Sequence, residues 1–222
     1  MESKTAFTDR PVFPVLFIII ISVVFVGIIA FLFRVNEPGI ERNRREAYEK
    51  AILSLCADSL ASLSGDSAQN IMAKYPASFT GFIKALPAGT YARPAYEASY
   101  NGTVIAYVFD ITGMGLWGTM KALAATDTSK EKMIGLRVYD QSETPGLGGR
   151  ITEDWFTSQF NHKRVLKDGQ PLGLELVPEG QKTIAPAQVR QITGATITSK
   201  AVINMLSKEL SDIAASRKEQ KQ

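Results

Sequence analysis

The apolar pattern divides the chain in two. Val12 to Phe33 is an almost unbroken apolar run without a charge. At about 1.5 Å per residue, a helix over it reaches roughly 33 Å, enough to cross a bilayer core of about 30 Å. The run exceeds a signal-peptide core, and Phe31-Leu-Phe-Arg-Val-Asn-Glu continues without a small-x-small cleavage site, so it reads as an uncleaved anchor. Glu37 to Leu60 reads as a second helix with Pro38 in its first turn. Ile40, Ala47, Tyr48, Ala51, Ile52 and Leu55 form its apolar stripe, which Arg44 and Asp58 interrupt. Ser62 to Ala77 is small and polar, with room for a short helix.

From Tyr91 the pattern changes to strands. Asn101-Gly102 between Tyr96–Tyr100 and Thr103–Phe109 is a strong hairpin signal, and it explains the Asn-Gly-Thr triplet without glycosylation. Met120–Ala125 and Met133–Tyr139 form a second pair around Asp127-Thr-Ser-Lys, and Leu172–Val177 is another strand. Thr152–Phe160 reads as a short helix with Glu153 and Asp154 in its first turn. A last helix starts near Thr198 or Ser199, with Val202, Ile203, Met205, Leu206, Leu210 and Ile213 as its stripe. The fold class predicted is α+β: one N-terminal transmembrane helix, then a mainly antiparallel twisted sheet with packed helices. The boundaries expected are 1–11, an N-terminal cytoplasmic segment; 12–33, the span; 34–90, a linker helix and irregular region; 91–216, the main domain; and 217–222, a polar tail.

Composition narrows the chemistry. The net charge of +3 lacks the basic stripe of a nucleic-acid binder. One cysteine, Cys56, and one histidine, His162, exclude an intrachain disulfide, a Cys/His zinc site and a four-thiolate cluster. Cys56 reads as a small core residue and His162 as a solvated one. Any redox role must then come from a bound cofactor. Charge does not decide which side of the membrane holds the domain, because long domains translocate largely regardless of it.

Three stretches could carry a ligand. Gly113-Met-Gly-Leu-Trp-Gly118 spells a dinucleotide fingerprint, but the segment after it is too short for a crossover helix. The glycines instead fit a strand–loop–strand connection that presents Trp117. Glu143-Thr-Pro-Gly-Leu-Gly-Gly149 is a tight loop whose glycines allow close backbone approach, a wall for a flat ring. Ile192-Thr-Gly-Ala-Thr-Ile-Thr-Ser199 sets hydroxyl residues before a helix, where free N–H groups and the helix dipole stabilise a phosphate.

Thr193-Gly-Ala-Thr-Ile-Thr-Ser199 resembles the flavinylation motif of the FMN-binding subunits of Rnf and sodium-translocating NADH:quinone oxidoreductase complexes. Glu143-Thr-Pro-Gly-Leu-Gly148 resembles a second motif of that family, and the anchor followed by one extracytoplasmic domain matches it too. The resemblance implies that 91–216 is an FMN-binding domain, with FMN covalently held as a phosphoester on Thr196. Thr193, Gly194 and Ala195 would form the approach, and Thr198 and Ser199 would receive the phosphate. Glu143, Thr144, Pro145, Gly146, Leu147 and Gly148 would line the site, and the isoalloxazine ring would lie near Leu116, Trp117 and Leu147. A flavin transferase using FAD and magnesium would make the bond. The partners implied are the other subunits of the complex, and the location is the bacterial inner membrane with the domain outside the cytoplasm. The expected function is electron relay through FMN to drive Na+ or H+ transport. The chain departs from the motif at Arg190, where the family usually carries an acid. Two rival readings are a membrane-anchored binding module without redox chemistry and a tethered NAD enzyme built on Gly113–Gly118.

Overall fold

The first helix does not stop at Pro38. The computed structural model describes residues 12–91, 93–167, 170–182 and 184–219, so the segment 1–11 and the last three residues of the polar tail lie outside the described residues. A single helix, α1 (Val12–Ser64), replaces the two helices expected, with Pro38 inside it. Proline removes one backbone donor from the ladder. In the turn before it, the Asn36 side chain donates to Leu32 O at 2.7 Å. Among the described residues, α1 is the one helix long and apolar enough to cross a membrane.

Residues 1–47 and 48–222 form two separate compact units. In the first, the side chains from Val12 to Val35 are largely exposed. In the second, α1 changes character: Ala51, Ile52, Leu53, Cys56, Ala57 and Leu60 are buried. Full burial of each large aliphatic side chain contributes about 1.5–3 kcal/mol. Cys56 is fully buried, and burial pushes its thiol up to about 12, so it is the core residue expected.

Two short helices follow, α2 (Ala68–Ala73), capped by Ser67, and α3 (Ala77–Phe82). The main sheet is an antiparallel meander of β1 (Ile83–Ala85), β2 (Ala95–Tyr100), β3 (Thr103–Met114), β4 (Thr119–Asp127) and β5 (Met133–Asp140), in that order. The hairpin at Asn101-Gly102 is present, with φ of 48° and 78° as its turn requires. Edge strand β1 had no sequence signal, being three residues long.

After β5 come a 3-10 turn at Gly148–Thr152, α4 (Asp154–Thr157) and a second 3-10 turn at Ser158–Phe160, so the short helix expected at Thr152–Phe160 is broken. Then come β6 (Leu166–Lys167), β7 (Gln170–Pro171), β8 (Glu175–Val177) and β9 (Gln188–Arg190). The strand expected over Leu172–Val177 is shorter and pairs in parallel with β9, outside the main sheet. Helix α5 (Thr196–Glu219) closes the described chain.

Strand alternation gives the sheet two buried faces. Ala106 and Val108 face α1, in a cluster with Ile52, Leu60 and Ile71. Phe109 and Ile111 face the other way, toward Phe156, Phe160 and the α5 stripe of Val202, Ile203, Met205 and Leu206. A Cβ on Gly113 would stand 2.9 Å from Met205 Cβ, so this glycine lets α5 lie close on β3. The first turn of α5 is thereby fixed beside the β3–β4 connection.

Candidate functional site

The three stretches meet at one buried carboxylate. Glu143 is 5% exposed. Its Oε1 accepts the Trp117 N–H at 2.9 Å, and its Oε2 accepts the Thr198 hydroxyl at 2.6 Å. A Cβ on Gly115 would lie 2.4 Å from Oε1, and one on Gly148 would lie 2.7 Å from Oε2 and 2.8 Å from Thr198 Oγ1. These two glycines therefore make room for the Glu143 side chain. Gly113–Gly118 is a hairpin end between antiparallel strands, with Gly115 N–H donating to Gly118 O at 2.8 Å. The strand–helix context of a dinucleotide fold is absent there, which removes the basis of the tethered NAD enzyme.

Two turns flank the carboxylate. In Thr144–Leu147 the Leu147 N–H returns to Thr144 O at 3.1 Å, with Pro145 second and Gly146 third at φ 75°. In Ile192–Ala195 the Ala195 N–H returns to Ile192 O at 2.9 Å, with Gly194 third at φ 78°. Both follow the type II pattern, which favours glycine at the third position. They lie against each other, because a Cβ on Gly194 would stand 3.1 Å from Leu147 Cδ2.

Helix α5 begins at Thr196, two or three residues before the start expected. The shift changes what each hydroxyl does. The first intrahelical bond of this turn is Ser199 N–H to Ala195 O at 2.9 Å, so the amides of Thr196, Ile197 and Thr198 precede the ladder. Ser199 is buried; it accepts the Ile192 N–H at 3.0 Å and donates to Ala195 O at 2.9 Å. Thr198 is buried and bound to Glu143. Neither side chain faces outward, and the groups free for an anion there are backbone amides. Thr196, Thr193 and Gly194 are exposed.

Around Thr196 the surface is unusually apolar for a folded domain. Met114, Leu116, Trp117, Leu147 and Ile197 are exposed at 70%, 50%, 70%, 44% and 61%. A cleft of about 660 Å³ runs beside α5, lined by Gly113, Met114, Ile197, Lys200, Asn204 and Lys208 among others. Met114, Ile197 and the two lysines carried no sequence signal of their own. Ile197 is legible only once the helix start is placed at Thr196.

One further acid reaches the Ile192–Ala195 turn. Glu179 Oε2 accepts the Thr193 N–H at 2.7 Å, and Arg150 Nη2 lies 3.0 Å from Glu179 Oε1. The Thr193 N–H, followed by Arg150, holds the Glu179 carboxyl down to about 2. Glu179 lies far from Thr193 in sequence, so no local motif could show it. His162 is exposed, as expected, and takes no part here.

Residues 115–211 match the FMN-binding domain family. That stretch is similar to the family. It spans the β3–β4 connection, the Glu143 loop and most of α5. The NqrC component of the Na(+)-translocating NADH-quinone reductase of Yersinia pestis is 38% identical over 105 residues, covering 47% of this chain and 39% of that protein. Its counterpart from Vibrio anguillarum is 33% identical over 95 residues, covering 43% and 37%. The chain thus spans about two fifths of the length of these curated relatives. The crystal structure of the NqrC component from Parabacteroides distasonis shares the fold, with a TM-score of 0.59 at 22% identity over 80% of this chain and 94% of that one. The predicted α+β class holds.

The residues present fit FMN. An exposed hydroxyl stands at a helix start whose first amides are free of the ladder, and apolar side chains around it offer faces to a flat ring.

Proposed function

We propose that the chain is a membrane-anchored electron-transfer subunit carrying FMN as a phosphoester on Thr196, within an ion-translocating complex of the sodium-dependent quinone reductase or Rnf type. The observation that carries this reading is the exposed Thr196 at the first position of α5. In the same motif Thr198 and Ser199 are buried and bonded. Thr196 is thus the one hydroxyl of the first helical turn open to a large donor. The named relatives favour the quinone reductase and Na+ over the Rnf alternative.

Bound FMN would supply reversible electron transfer; the protein supplies position and electrostatics. In maturation, Thr196 Oγ1 would form a bond to the FMN-side phosphorus of FAD and release its proton to solvent. The bridging P–O bond breaks and AMP leaves. A flavin transferase with magnesium serves this step. The backbone amides of the first turn would hold the remaining negative charge, and the α5 dipole would offset it. Trp117, Leu116 and Leu147, with Met114 and Ile197, would offer apolar faces to one side of the ring. Glu143 holds the loops that carry them, through Trp117 N–H and Thr198. A flavin that cannot dissociate suits repeated transfer between partner subunits. The apolar span of α1 would hold the domain at the bacterial inner membrane, on its outer side.

The test is mass spectrometry and in-gel flavin fluorescence of the full chain coexpressed with a flavin transferase. The expected adduct is one FMN less one water, located on Thr196. Thr196→Ala should abolish it with the fold unchanged. An adduct that persists in this variant moves the attachment elsewhere; a wild-type chain without adduct leaves a binding module without redox chemistry.

A further inference from the structure

Thr193, Gly194 and Thr196 are exposed, and Gly194 needs a positive φ that other residues would resist. The ends of this turn, Ile192 and Ala195, are buried in the core, but Thr193 and Gly194 between them stand outside it. Its inner side is tied through Ile192 N–H to Ser199 and Ala195 N–H to Ile192 O. Its outer side is tied by the charged bond from Thr193 N–H to Glu179. Bonds to an ionised acceptor are roughly twice as strong as neutral ones.

Glu179 is itself braced from two directions. Arg150 approaches both carboxylate oxygens, with Nη2 at 3.0 Å and Nη1 at 3.5 Å. Arg150 is steadied in turn by Glu153 at 3.2 Å and by the Trp155 ring, 5.1 Å from its guanidinium carbon. From the other side Arg190 donates to Gln181 O at 2.5 Å and Lys182 O at 2.6 Å, fastening the loop that carries Glu179. The Arg190 backbone is locked to the Gln159 side chain by bonds of 2.8 and 3.1 Å. Two arginines thus fix one carboxylate against one amide, three residues before the acceptor hydroxyl.

We propose that Glu179 is a positioning residue for flavin attachment: its carboxylate, braced by Arg150 and by the loop that Arg190 holds, orders the Thr193–Ala195 turn and so presents the Thr196 hydroxyl to the transferase. This rests on Thr196 being the acceptor. Glu179 does not act as a base. Both of its oxygens are engaged by donors, and it stays ionised far below neutral pH. Its contribution is orientation, and misplacement of a reacting group is costly in rate.

The experiment uses the full chain in detergent, made without transferase and then mixed with transferase, FAD and magnesium. Initial rates of adduct formation are followed by mass spectrometry across a range of chain concentrations. Glu179→Ala should lower kcat by about tenfold or more. Glu179→Gln keeps one acceptor oxygen and should fall between it and wild type. Arg190→Ala, which leaves both partners of the bond in place but frees the loop, should slow attachment in the same direction. Amide exchange, read without flavin, should quicken at Thr193 through Thr196 in Glu179→Ala while the sheet amides stay protected. Wild-type rates and turn protection in Glu179→Ala would overturn the proposal. So would a rate loss that only follows the fraction of unfolded chain. If wild type is never modified, the acceptor assignment fails, and the exchange result still decides whether Glu179 orders the turn.

Discussion

Glu143 keeps an acidic side chain in the interior because both oxygens have donors, Trp117 N–H and the Thr198 hydroxyl. Glu143→Ala leaves both donors without an acceptor and empties space that Gly115 and Gly148 are shaped around. The expected cost is about 2–4 kcal/mol, measured by urea unfolding. Glu209 is the contrasting case. It is 3% exposed, and burial raises its carboxyl to about 7, against the opposing pull of Arg93 at 3.2 Å; Asp212 and Asp110 add to the rise. A carboxyl whose folded value is raised favours the fold below its unfolded value, near 4.5, and loses that contribution as pH climbs to about 7. Stability of the wild type should therefore fall between about pH 4.5 and 7 relative to Glu209→Gln. At roughly 1.4 kcal/mol per unit the difference is on the order of 3 kcal/mol. Parallel melting curves at several pH values check it; parallel profiles for the two proteins would count against it.

Two of the three elements that meet at Glu143 approach it through glycines, Gly115 and Gly148, and the third through the Thr198 hydroxyl. Gly148→Ala would put a methyl within 2.7 Å of Glu143 Oε2 and 2.8 Å of Thr198 Oγ1, wedged against the hydrogen bond that joins them. It should destabilise by about 1–3 kcal/mol and loosen the start of α5, seen as faster amide exchange from Thr196 to Lys200. Gly146→Ala acts differently, through φ 75° alone, since nothing stands within 4 Å of its Cβ position. This architecture is partly legible in the sequence. The hairpin at Asn101-Gly102, the β4–β5 pair and the α5 stripe follow from periodicity and turn chemistry, which are local. The convergence of Gly115, Gly148 and Thr198 on one carboxylate is not local, so the sequence shows three motifs without their common centre. Periodicity places the start of α5 too late because Thr198 and Ser199 look like caps. Their hydroxyls are instead used inside, by Glu143 and by Ile192 and Ala195. Arg190 looks like a missing acid, and the carboxylate that reaches the turn comes from Glu179, on a different strand connection.

Two kinds of surface coexist in one chain, and they predict separate behaviour. From Val12 to Val35 the apolar side chains of α1 lie exposed, an arrangement stable against lipid and costly in water. From Ala51 onward the same helix buries its apolar side against β2, β3 and β4 and contributes to the core of the domain. The domain needs this second part of α1, whose loss would uncover Val108, Leu123 and Ala125. A chain lacking residues 1–44 keeps Tyr48–Gln222, the whole of the second compact unit. It should stay in the soluble fraction without detergent and unfold in one cooperative transition. The full chain should sediment with membranes, resist high salt and carbonate, and be released by detergent. Release by salt alone would mean that charges such as Arg42, Arg44 and Arg45 hold it at a surface, and the span would lose its role as an anchor. Aggregation of the shortened chain would count against a second unit that folds by itself. Flavin attachment supplies an independent readout of the same division. The Ile192–Ala195 turn and the residues that hold it lie between Glu143 and Ser199, so the shortened chain should be modified on Thr196 at close to the rate of the full chain in detergent.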